Sequence, residues 1–133
     1  MEVKAINTTI KGVENVNAAD TTQTVPIFEL PPGAFIIAFG GRVKTAFAGV
    51  TYPTVKVGEG TILDGLMFKQ PINKVGDLKS GFSIEVHTFC QAIAGGGQKV
   101  ETNRSIIGTF ESSAGNLSSL TAGEIEFFLV YAD

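Results

Sequence analysis

The only histidine of the chain, His87, is followed three residues later by its only cysteine, Cys90. An H-x-x-C spacing is compatible with a metal site or with a thiolate paired to a base. Residues 82–93, however, alternate like a β-strand, and side chains three apart on a strand lie on opposite faces. The sequence has no second histidine or cysteine to complete a zinc site of four ligands. We therefore predict that Cys90 is a small buried residue and that neither side chain is catalytic.

No other spacing in the sequence matches a familiar catalytic or ion-binding motif. A Ser-His-Asp triad would have to use His87, and the G-x-S-x-G turn is absent. The glycines at 58 and 60 precede a loop or strand rather than the helix start that a phosphate loop requires. Glu59, Asp64 and Asp77 fall in predicted loops but lack the spacing of a calcium-binding loop. We expect a protein that is not an enzyme and that binds no cofactor or metal ion.

Composition excludes several further classes of protein. A hydrophobic fraction of 44% over 133 residues predicts one folded domain with an ordinary core. A net charge of −3 with scattered basic residues argues against nucleic-acid binding. The apolar runs are far shorter than the ~18 residues of a membrane span, and the first residues do not resemble a secretion signal. We expect a protein made and used in solution, with no nucleic-acid or membrane partner.

The longest apolar run lies at residues 34–57, and it predicts the central strand and first hairpin of a β-sandwich. Before Gly40 and Gly41 both faces of this strand are apolar, so we expect that half to be covered on both sides. The glycine pair itself suits a bulge. Side chains two apart share a face of a strand. The residues predicted to face the core are Phe35, Ile37, Phe39, Val43, Thr45 and Phe47.

Other alternating segments complete an all-β pattern. Strands are predicted at 25–30, 54–57, 82–93, 99–110 and 123–132, with a hairpin at the glycines 95–97. In the last strand, one face is predicted to carry Ile125, Phe127, Leu129 and Tyr131. This strand should be central, because its second half is apolar on both faces. Residues 62–68 are predicted to be irregular, or a half-turn with a short strand, and 69–81 to be a loop. Turns about every ten residues favour an antiparallel, jelly-roll-like β-sandwich.

The first 24 residues have a weaker pattern than the rest. Residues 3–13 alternate poorly, and 14–24 are polar without periodicity. We interpret 1–24 as an N-terminal arm or edge strand, and 25–133 as the sandwich domain.

Several short segments of the chain together resemble one family of proteins. They are FELPPGA at 28–34, RVKTAF at 42–47, TVKVG at 54–58, TAGE at 121–124 and the tyrosine near the end, Tyr131. This arrangement of strands and turns resembles that of small virion proteins of tailed bacteriophages, of the head decoration (cement) type. The resemblance covers roughly residues 25–60 and 105–133.

The resemblance implies a structural protein that binds the outside of a phage capsid and stabilises it. Its partners would then be the major capsid protein and further copies of itself, commonly as a homotrimer. It would be made in the host cytoplasm and located on the virion exterior. We expect the N-terminal arm to order on the capsid or on a neighbouring subunit. The candidate contact residues in this arm are Val3, Ile6, Ile10, Val13 and Val16.

A tail- or fibre-associated module, or one that binds a carbohydrate or host receptor, is the alternative. Loops at 58–81 and 111–122 would then form the binding site at one end of the sandwich. The chain has 10 Phe but no Trp and only 2 Tyr, which weakens a sugar-binding role because sugar platforms generally use Trp or Tyr. Tyr52 and Tyr131 leave this alternative open.

Overall fold

The computed structural model describes residues 2–60, 62–79 and 104–133. These residues form eight strands, one short helix and one 3₁₀ turn. The strands are β1 (Val3–Lys11), β2 (Thr22–Leu30), β3 (Phe35–Ala48), β4 (Thr54–Glu59), β5 (Ile62–Pro71), β6 (Gly76–Leu78), β7 (Arg104–Glu111) and β8 (Ala122–Ala132). Helix α1 is Gly12–Asn15, and the 3₁₀ turn is Leu117–Ser119.

The strands form two antiparallel sheets of four. The first sheet has the order β1-β8-β3-β6, and the second has the order β2-β7-β4-β5. Apart from the β4–β5 hairpin, each connection described between consecutive strands crosses from one sheet to the other. This is the strand order of a jelly roll, with two Greek keys in a double sheet. The prediction of an all-β antiparallel sandwich is confirmed.

The core lies between the two sheets. Strand β8 is central in the first sheet, between β1 and β3. The face predicted for it is buried, with exposed fractions from 0 to 7% at Ile125, Phe127, Leu129 and Tyr131. Aromatic rings cross the interior: Phe28 and Phe39 meet edge-on at 6.4 Å, and Phe47 and Phe110 lie 6.0 Å apart. The two-residue spacing of these side chains therefore predicted their shared buried face correctly, because no bulge interrupts the pairing of β8 with β1.

The predicted core face of β3 was partly wrong. Phe39, Val43 and Phe47 are buried. Phe35 and Ile37 are 53% and 47% exposed, and Thr45 is exposed as well. The pairing of β3 with β8 shifts between residues 36 and 38. An extra residue in one strand reverses which side chains face the core, so the alternation changes phase at this bulge. The sequence predicted a bulge at the glycine pair, and this bulge lies a few residues before that pair.

Two other predictions for the middle of the chain are corrected. Residues 34–57 do not form a hairpin, because β3 belongs to the first sheet and β4 to the second. Residues 62–71 and 76–78 are strands rather than irregular segments or loop. Strand β5 pairs with β4, and β6 with β3. Backbone hydrogen bonds to a partner strand, adjacent in the chain for β5 and distant for β6, stabilise segments whose local pattern does not indicate a strand.

The turn at Pro31-Pro32-Gly33 lies where the sequence predicted it. The Ala34 N–H donates to the Pro31 carbonyl at 3.2 Å, and Gly33 has φ +78°. Positive φ at this position is the requirement of a type II turn, and it explains the glycine. The predicted strand 82–93 with His87 and Cys90, and the hairpin at glycines 95–97, lie outside the described residues.

The N-terminal segment is part of the sandwich in this structure. Strand β1 forms the edge of the first sheet and pairs along its whole length with β8. Val16, which follows helix α1, is fully buried. Removing residues 1–22 would therefore take a strand and a core side chain from the fold. Among the described residues, no helix has the length and hydropathy needed to cross a membrane.

Candidate interaction surface

The outer surface of the first sheet carries a cluster of exposed apolar side chains. Neighbouring strands align them in rows: Val130 of β8 lies between Ala5 and Ala38, and Phe128 lies between Asn7 and Gly40. These side chains point away from the core, because Phe127 and Leu129, which alternate with them, are buried. We call this cluster the apolar half-face. Its members are Val3, Ala5, Phe35, Ile37, Ala38, Phe128 and Val130.

The apolar half-face is open to solvent and uneven. Its large side chains remain substantially exposed, with 60% for Val3, 47% for Ile37 and 39% for Phe128. Between β1 and β8 the small residues leave a shallow depression of about 570 Å³, lined in part by Ala5, Asn7 and Phe128. Contiguous apolar patches on this scale usually mark an interaction site rather than chance exposure.

The rest of the same outer surface carries charged side chains. These side chains form ion pairs with one another. Arg42 Nε lies 2.9 Å from the Asp77 carboxylate, and Lys44 Nζ lies 3.0 Å from that of Glu126. The Asn7 amide also donates to Glu126 at 3.3 Å. Beside Asp77 the pKa of the Arg42 guanidinium is raised, chiefly through their hydrogen bond. We call these residues the charged half-face; it borders the apolar one at Asn7 and Gly40.

A second exposed feature lies at one end of the sandwich, where the connections at 12–21, 49–53, 72–75 and 112–121 meet. We call this the loop end. Backbone hydrogen bonds join the connections, from Thr51 N–H to Ala114 O at 3.0 Å and from Leu117 N–H to Asp20 O at 2.8 Å. Tyr52 is 54% exposed here and has φ +50°. A non-glycine residue in the left-handed region is strained, and such strain is often found at binding sites.

The loops proposed for receptor binding are only partly brought together. The connection at 112–121 and the short one at 72–75 are both at the loop end. The turn after β4, at Gly60, lies at the opposite end, because β4 runs antiparallel to β7. Most of 58–79 is strand. Tyr131 faces the core and is 7% exposed, so of the two tyrosines only Tyr52 is available to a ligand.

The opposite end of the core contains a buried ion pair. The Arg104 guanidinium donates to both carboxylate oxygens of Glu59, with Nε to Oε2 at 2.5 Å and Nη2 to Oε1 at 2.7 Å. Arg104 Nη1 also donates to the carbonyl of Ala34, in the turn between β2 and β3. Both side chains are less than 10% exposed. The geometry is bidentate, and it ties β4, β7 and that turn together.

The carboxylates weighed as calcium ligands are separate in the structure. Glu59 is held by Arg104, Asp77 by Arg42, and Asp64 is exposed on β5. Within 2–60, 62–79 and 104–133 no three His, Cys, Asp or Glu side chains come close enough to hold a metal ion. These ranges omit His87 and Cys90.

The five residues predicted to contact a capsid or another subunit have different environments. Val3 and Val13 are 60% and 53% exposed and remain available to a partner. Ile6 is partly buried against the core. Ile10 and Val16 are 5% and 0% exposed, so the prediction is corrected for these two: they contact the chain's own core. Side chains on the inward face of β1 and just after α1 cannot reach a partner while the sandwich is folded.

A further set of ion pairs forms one cluster around Glu111. Glu111 on β7 lies 3.1 Å from Lys56 Nζ on β4 and 3.4 Å from Lys69 Nζ on β5. The hydrogen bond from Lys56, followed by the charges of both lysines, lowers the pKa of Glu111 below its ordinary value of 4.5. Since β7, β4 and β5 are neighbours in the second sheet, the cluster ties three strands.

Replacing Glu111 by glutamine should make unfolding less sensitive to acid. A carboxyl group whose pKa is lowered by folding stabilises the protein above its unfolded pKa and loses that contribution as the pH falls through its folded pKa. Urea midpoints of wild type and variant should therefore differ at neutral pH and converge well below pH 4.5. Lys56→Met should reproduce the effect more strongly than Lys69→Met. An unchanged difference at both pH values would contradict the role assigned to Glu111.

Sequence reasoning found part of this surface and missed the rest. The apolar pattern on both faces of 34–39 and 127–130 indicated a surface needing cover. The Glu59–Arg104 pair was missed, because the two residues are 45 positions apart and only the neighbouring strands bring them together. The sequence did not indicate the positive φ of Tyr52. The proline that follows it, Pro53, marks a turn only.

Comparisons of the chain with known protein families, curated proteins and solved structures found no match.

Proposed function

We propose that this protein is a structural subunit of a phage virion, which binds the outside of the capsid as a homo-oligomer and stabilises it without catalysis. The observation that carries the proposal is the apolar half-face. A chain of this size gains nothing in its own stability from leaving these side chains in water, whereas a subunit that must be covered by neighbours requires such a surface. The resemblance to decoration proteins supplies the kind of neighbour, the major capsid protein and further copies of the chain.

The physics of a capsid lattice supports the same proposal. A decoration protein makes many equivalent contacts on a symmetric shell, so modest contacts gain strength through multivalency. It needs rigid, preformed surfaces. A jelly roll meets this need here, because the members of the apolar half-face lie on paired strands rather than on loops. The proposed location is the virion exterior.

The test joins two measurements. Light scattering on the purified chain should give a mass near three times 14.0 kDa, the homotrimer that the resemblance implies. The chain should then co-sediment, in a fixed and saturable ratio, with heads assembled from the major capsid protein of the phage that encodes it. Decorated heads should resist heat better than bare heads. A folded chain that fails to sediment with these heads would contradict the proposal.

A second candidate function, recognition of a carbohydrate or host receptor, is favoured by Tyr52. Its ring is exposed at the loop end, and its backbone is in the strained left-handed region. Tyrosine rings provide an apolar face and a hydrogen-bonding edge, which suit sugar binding. The neighbouring connections at 112–121 and 12–21 are rich in hydroxyl and amide side chains.

A glycan array distinguishes this candidate from the first. If the loop end binds sugars, wild type should give reproducible hits, and Tyr52→Ala should lose them while remaining folded. Phe68→Ala provides a matched control, because Phe68 is similarly exposed, at 56%, on β5. Silence across varied glycans would count against sugar recognition.

A further inference from the structure

We propose that the apolar half-face is the surface through which copies of this chain contact one another, so that its occupant is the half-face of a neighbouring copy in the homo-oligomer. The inference deepens the proposed function and rests on its homo-oligomeric assembly. It assigns the subunit contact to β1, β3 and β8 of the first sheet, rather than to the loop end or to the second sheet.

The area of the half-face fits this occupant. Its exposed apolar side chains offer on the order of 500 Å², near the upper end for the largest patch on a typical monomer. A stable interface buries about 800 Å² per partner, with an apolar centre and a polar rim. The half-face supplies the centre, and the adjoining charged half-face supplies a rim. Together they reach the area that association needs.

The shape of the half-face is self-complementary. The depression lies over Ala5 and Asn7, where the side chains are short. Phe128 lines this depression and is 39% exposed. On the other side of β8, the bulge in β3 turns both Ile37 and Ala38 outward. In a ring of copies, a large side chain of one half-face enters the depression of the next. Because the half-face has both a protruding side chain and a depression, a copy of the same chain can fill the depression.

The distribution of charge also favours a second copy. The chain has a net charge of −3, so two copies repel each other except where a surface is neutral. None of the side chains of the half-face is charged. The charges next to it are paired within the chain, Arg42 with Asp77 and Lys44 with Glu126. The patch therefore attracts neither a strongly basic nor a strongly acidic partner, and it allows like-charged copies to approach.

Sedimentation velocity on matched variants tests the inference. Wild type should sediment as an oligomer, and Phe128→Glu should sediment near the monomer mass of 14.0 kDa, because two or more buried carboxylates would face each other without partners. Phe68→Glu is the control, since it changes an exposed phenylalanine of the second sheet in the same way. It should remain oligomeric. Ile37→Glu tests the same surface from β3 if Phe128→Glu fails to fold.

The outcomes separate this inference from the proposed function. A monomeric wild type, or an oligomer that survives both Phe128→Glu and Ile37→Glu, would overturn the half-face as the subunit contact. Binding of wild type to heads is measured separately, so a chain that decorates heads but associates through another surface would retain the proposed function and reject only this inference. Loss of the oligomer in both variants, with Phe68→Glu unaffected, supports it.

Discussion

Replacing Arg104 by methionine should destabilise the protein by about 3–5 kcal/mol, the range found when one partner of a buried ion pair is removed. Methionine is unbranched like the aliphatic part of arginine but has no charge, so the Glu59 carboxylate, 7% exposed, would lie in the core without its counter-ion. The carbonyl of Ala34 would also lose the hydrogen bond that Arg104 donates. Both losses act at the same end of the sandwich. A domain with a typical total stability of about 5–15 kcal/mol would lose much of its margin.

Urea unfolding of two further variants separates the cost of the orphaned charge from that of the lost packing. Adding Glu59→Leu to Arg104→Met should recover part of the stability, because an apolar pair leaves no buried charge. Arg42→Met removes an arginine from an exposed pair with Asp77, and it should leave the urea midpoint nearly unchanged. If Arg104→Met were as mild as Arg42→Met, the buried pair would have no special role in holding this end of the core.

Replacing Gly49 by alanine is the second change with a large expected effect, about 3 kcal/mol or more. A Cβ at this position would lie 2.4 Å from the carbonyl oxygen of Ser119 and 2.8 Å from the amide nitrogen of Thr121. That segment cannot easily move, because the Thr121 N–H donates to the carbonyl of Ala48 at 2.8 Å. Gly49 also has φ +105°, which an L-residue rarely adopts. Overpacking of about 1–3 kcal/mol and backbone strain of about 1–2 kcal/mol therefore add.

Substitutions at two other glycines separate the backbone strain at Gly49 from the overpacking. Gly33 has φ +78° but open space around its Cβ position, so Gly33→Ala should show the backbone strain alone. Gly40 has open space and no positive φ, and Gly40→Ala should be close to neutral. All three are compared by urea unfolding at one protein concentration, because association changes apparent stability. Equal effects at Gly49 and Gly33 would show that Ser119 and Thr121 move aside.

The segments whose environment is regular were predictable from the sequence. In β8 the two-residue spacing of apolar side chains identified the buried face, because side chains two apart share a face of an uninterrupted strand. The apolar second half of the strand identified its central position. The turn at Pro31-Pro32-Gly33 was equally clear, since its residue types restrict the backbone directly. The all-β class followed from such segments and from the frequency of turns. These features depend on interactions within a few residues of the chain.

The features most relevant to function depend on distant residues, and only the tertiary structure decided them. The bulge that turns Ile37 outward arises where β3 meets β8, more than ninety residues along the chain. Glu59 and Arg104 meet because β4 and β7 are neighbours in the second sheet. Ile10 and Val16 are buried because they belong to the core that side chains from distant parts of the chain form together. The sequence by itself thus determined an all-β chain with more apolar surface than one sandwich hides; strand pairing, which joins remote segments, decided where that surface lies.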